Sequence, residues 1–66
     1  MDRILISEQF PQQGKIWSDN PYALATEICR WANHLHLTPE DILSVSIFPE
    51  PLIAEHAVGA VVFYWS

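Results

Sequence analysis

The stretch HAVGAVVFYWS, residues 56–66, decides the fold. From Ala57 to Trp65 it carries no charge. Read as a strand, it places Ala57, Gly59, Val61, Phe63 and Trp65 on one side and Val58, Ala60, Val62 and Tyr64 on the other. A strand with one wet face alternates apolar with polar, so a strand apolar on both faces belongs in the middle of a sheet. Residues 57–65 are therefore predicted as a central strand, which requires two others to flank it.

Both candidates lie upstream. RILISEQF puts Ile4, Ile6 and Phe10 on one face and Leu5 and Ser7 on the other, giving a first strand over residues 3–9. PQQGK follows as a turn, because Pro11 lacks a ladder donor and Gly14 tolerates positive φ. KIWS, residues 15–18, suits a short extended piece that pairs back on the first strand. ILSVSIF sets Leu43, Val45 and Ile47 against Ser44, Ser46 and Phe48, a half-buried strand over residues 43–48. Pro49 and Pro51 then forbid a continuous ladder.

Between these strands lies DNPYALATEICRWANHLHL. Asn20 is a good N-cap, and Pro21 suits the first helical position, where its missing N–H would be unbonded anyway. Leu24, Ile28, Trp31 and Leu35 recur at spacings of four, three and four, so they form one line on a helix over residues 21–36. Ala25, Cys29 and Ala32 widen that stripe, while Thr26, Arg30 and Asn33 face water and Glu27 can pair with Arg30. Thr38, Pro39 and Asp41 read as a second cap followed by a single turn.

The order β-α-β-β makes the first two strands parallel, with the last one between them and antiparallel to both. One α+β domain over residues 1–66 results, its three-stranded sheet in order 1-3-2 with the helix on one face. The chain is too short for a second core. The glycine favours the helix over Gly59, Val61 and Phe63, with room for Trp31. Val62 and Tyr64, with Phe48 nearby, then lie on an open face that nothing else in the chain covers. A large exposed apolar patch marks an interface, and a second copy is the simplest cover. Phe48, Val62 and Tyr64 are the predicted oligomer contacts, in a dimer.

Composition narrows the function. Eight acidic residues against Arg3, Lys15 and Arg30 give a formal charge of −5, and the basic residues are scattered. No phosphate-tracking stripe exists, which argues against direct nucleic-acid binding. The nine-residue apolar tail is far shorter than the roughly 20 residues a membrane helix needs, so no membrane partner is expected. Cys29 is the only cysteine, so no intrachain disulfide forms and a reducing, cytoplasmic setting is expected.

Candidate chemistry is thin. His34 and His36, two apart on a helix, diverge by roughly 200° and cannot share an ion there. Glu55 and His56 would complete a metal site only through tertiary placement, so surface or capping histidines are the expectation. Cys29 reads as a buried inert thiol beside the apolar stripe. Ser44 and Ser46 lack a glycine elbow or adjacent base, Gly14 and Gly59 are isolated, and Glu40 and Asp41 suit a helix start. No catalytic residue, cofactor or metal is assigned.

In element order, length and acidity the chain resembles dodecins, small flavin-storing proteins that build hollow assemblies. Dodecins stack flavin on a tryptophan in the second strand, and ILSVSIF has none, so flavin binding does not carry over. The expectation is a small acidic non-enzymatic protein that self-associates and acts through protein contacts, as a regulator or accessory subunit. One alternative is an aromatic-ligand binder with a pocket between subunits around Trp17, Trp65 and Tyr64. Another is an acidic inhibitor of a basic site on a partner.

Overall fold

The computed structural model describes residues 3–17 and 19–66. Its elements run β1 (Leu5–Phe10), α1 (Pro21–His34), β2 (Ile42–Pro49) and β3 (Val58–Trp65). The three strands form one sheet in order β1-β3-β2, with β3 antiparallel to both neighbours. The predicted α+β domain and its central strand are thus observed.

Helix α1 starts where its capping signal lies. The Asn20 side chain accepts from the Tyr22 N–H at 2.9 Å, satisfying one of the unpaired donors of the first turn, and Pro21 follows. The helix ends at His34, two residues before the predicted end. His36 adopts φ 58°, and the N–H groups of His36 and Leu37 donate to the carbonyls of Asn33 and Ala32 at 3.1 and 2.9 Å. This double bond pattern around a left-handed residue is a Schellman cap. It turns the chain so that Leu37 packs onto the core.

The helix covers the face of β3 opposite to the one predicted. Val62 is 0% exposed and Tyr64 8%, and both belong to one buried cluster with Phe10, Leu24, Ile28 and Ala60. Trp31 packs edge-on against Phe10 and Tyr64, with ring centroids 5.2 and 5.0 Å apart. The predicted contacts Val62 and Tyr64 are therefore core residues beneath α1, unavailable to a second copy. Phe48 does lie on the face away from the helix, opposite Gly59 in the ladder.

Gly59 makes room for something other than Trp31. A Cβ there would lie 3.0 Å from Phe48 Cε2, 3.0 Å from Trp17 Cζ3 and 3.3 Å from the Phe10 carbonyl oxygen. The segment after β1 thus folds its tryptophan onto the far face of the sheet instead of adding a strand. Residues 15–17 form no strand, and Ser18 of the predicted extended piece lies outside the described residues. The turn before it is as expected, with Gly14 at φ 86° and the Lys15 N–H donating to the Gln12 carbonyl at 2.9 Å.

Candidate interaction surface

Ladder alternation defines two sheet faces. Ile6, Glu8 and Phe10 share the helix side with Ala60, Val62 and Tyr64, as do Val45 and Ile47. Leu5, Ser7 and Gln9 share the far side with Gly59, Val61, Phe63 and Trp65, as do Ser44, Ser46 and Phe48. Among the described strand residues that far face carries no charged side chain, and Trp17 with Phe48 closes one end of it over Gly59. What stays open is modest: Phe63 is 38% exposed and Leu5 44%.

A second run of exposed apolar side chains lies on the helix side, along β2, apart from the single exposed residues Ile4, Ile16, Tyr22 and Leu52. Val45 and Ile47 are each 47% exposed and take no part in the buried cluster. Trp31 seats the helix over Phe10 of β1 and Tyr64 of β3, and a helix about 10 Å wide spans roughly two strands spaced about 4.8 Å apart, so β2 is left bare. A register irregularity between Ile42 and Ser44 adds to this. Ile42 takes the core-packed position, and Leu43, predicted to face the core with Val45, is left exposed.

Backbone donors on β2 follow the same division. The Glu50 N–H donates to the Ala57 carbonyl at 2.8 Å, and the Ser66 N–H to the Ile4 carbonyl at 2.9 Å. Antiparallel pairing alternates bonded and non-bonded pairs, so Ser44, Ser46 and Phe48 turn their backbone groups toward β3. Val45 and Ile47 turn theirs outward, to an edge with no neighbouring strand among the described residues. Pro49, which has no N–H to offer, falls in the same outward set.

The two sheet edges are unlike. β1 carries Glu8, whose carboxylate accepts from Gln12 Nε2 at 3.1 Å, and the chain from Pro11 to Trp17 lies beside it. β2 spells ILSVSIFP, without a charge along its length. Its flanks are tied down at Asp41. The Asp41 carboxylate accepts from the Thr38 N–H at 2.8 Å and the Thr38 hydroxyl at 3.0 Å, and pairs with Arg3. Its carbonyl accepts from the Trp65 N–H at 2.7 Å, and Arg3 also donates to the Trp65 carbonyl at 3.2 Å. The Thr38 hydrogen bonds, with Arg3 beside them, hold the Asp41 pKa below its ordinary 3.8.

Other candidate groups stand apart. Cys29 is exposed rather than buried, because Leu24, Ile28 and Ala32 take the core line and leave it on the helix flank. It borders a depression with Ala32, Leu37 and Ile42, whereas His34 borders a different cleft with Lys15, Arg30 and Trp31. Glu27 sits in that second cleft and offsets its positive charge. Among the described residues, no three His, Cys, Asp or Glu side chains are grouped to hold a metal ion. Trp17 and Trp65 lie on the far face and Tyr64 under the helix, so the three rings do not frame one pocket. No helix among the described residues is long and apolar enough to cross a membrane.

Comparison with protein-family models, curated proteins and solved structures finds no match. Any reading of function therefore rests on the surface described above.

Proposed function

We propose that this chain is a non-enzymatic protein that self-associates and works through protein–protein contacts, in an accessory or regulatory role. The surface area carries the reading. A folded monomer of 7.6 kDa is expected to expose about 4,300 Å². This chain exposes 5023 Å², a surplus of about 700 Å². A stable interface takes about 800 Å² from each partner, an area this exposed surface can supply. The exposed apolar side chains of β2 are the part of that surface best suited to be covered. A cytoplasmic setting fits the exposed, solitary Cys29 thiol, which an oxidising compartment would couple to other thiols.

Sedimentation equilibrium at micromolar concentration tests the proposal. A dimer is expected, with association tightening as salt screens the repulsion between copies of charge −5. A single 7.6 kDa species at every concentration and salt overturns it.

A further inference from the structure

Resting on that self-association, we infer that the second copy docks along the free edge of β2, joining two three-stranded sheets into one of six strands. Exposed edges invite pairing with another chain, and proteins normally blunt them with charge, proline or a covering loop. β1 has Glu8 and the chain after Pro11; on β2 only Pro49, at one end, blunts the edge, and residues 44–48 have neither charge nor, among the described residues, cover. Both outward donors and acceptors, at Val45 and Ile47, belong to the two residues whose side chains are half exposed.

The geometry also sets a register. The regular part of β2 lies between the irregularity at Ile42/Ser44 and Pro49, so it is centred on Ser46. A two-fold axis perpendicular to the sheet at Ser46 pairs Val45 of each copy with Ile47 of the other. Each such pair exchanges two backbone hydrogen bonds. The four apolar side chains then meet on the helix side, on the floor between two helices that share that face. Ser46 faces its own symmetry mate on the far side, where Ser44 lies opposite Phe48. The paired segment itself carries no charge; at its flanks Arg3 offsets Asp41, while Glu40 and Glu50 stand just beyond the paired residues.

A cross-link tests the register directly. Opposed residues in a non-hydrogen-bonded pair have Cα atoms about 4.5 Å apart, inside the roughly 4.4–6.8 Å span of a disulfide. Ser46→Cys in a Cys29→Ser background should therefore form a covalent dimer on mild oxidation. Ile47→Lys should weaken association at least tenfold while keeping its circular dichroism, and Phe63→Lys should associate as wild type does. If the wild-type chain stays monomeric, self-association itself fails. If it assembles, but the Ser46→Cys variant does not cross-link and Phe63→Lys dissociates, self-association stands and the edge is the wrong surface. Should Ile47→Lys not fold, the cross-link alone decides.

Discussion

His36 and Asp41 show what single residues contribute to so small a domain. His36 holds φ 58°, a left-handed conformation that costs an L-residue roughly 1–2 kcal/mol and glycine almost nothing. Glycine gives back part of that gain through the entropy of the unfolded chain. His36→Gly should therefore stabilise the protein by about 0.5–1 kcal/mol, seen as a melting temperature a few degrees higher. An unchanged or lower value would mean that the imidazole makes a compensating contact. Asp41 acts through ionisation. Its folded pKa lies below 3.8, so its stabilisation is complete above that value and disappears as pH falls through the folded pKa. Asp41→Asn should be less stable at neutral pH and lose less stability between neutrality and pH 2. Denaturant melts over that range, with equal acid slopes for both proteins, would contradict this.

At the scale of elements, the face of β3 that meets α1 is the decisive choice. Val62 and Tyr64 lie under the helix, while Phe63 lies on the far face at 38% exposure. A lysine in place of Val62 would bury an unpaired charge among Leu24, Ile28 and Phe10, costing several kcal/mol against a total stability of roughly 3–5 kcal/mol. Val62→Lys should be unfolded by circular dichroism, and Phe63→Lys should fold with a loss of about 1 kcal/mol or less. The reverse result would place the helix on the far face. Helix phase was readable from the spacing of Leu24, Ile28 and Trp31, because a 3.6-residue period marks one side of a cylinder. The thiol beside that line was not: Cys29 is one step round from Ile28, and a one-residue step of 100° separates core from surface.

At the scale of the molecule, one helix and three strands leave more surface uncovered than a chain of this mass normally shows. Extents of 44 × 19 × 18 Å describe an elongated body. What the sequence by itself determined is local or one-dimensional. It set the order of elements, the Asn20–Pro21 helix start, the turn at Gly14 and the central place of a strand apolar on both faces. Capping, turn chemistry and periodicity act within a few residues, so they can be read without coordinates. Only the tertiary structure decided which face of β3 the helix would cover, because a strand apolar on both sides carries no sign in its alternation. The choice followed from partners distant in the chain. Trp17 and Phe48 fill the space above Gly59, and Trp31 seats between Phe10 and Tyr64. The bare edge of β2 was hidden for the same reason. Its residues alternate like those of any half-buried strand, and their exposure depends on the width of a helix set over the neighbouring strand.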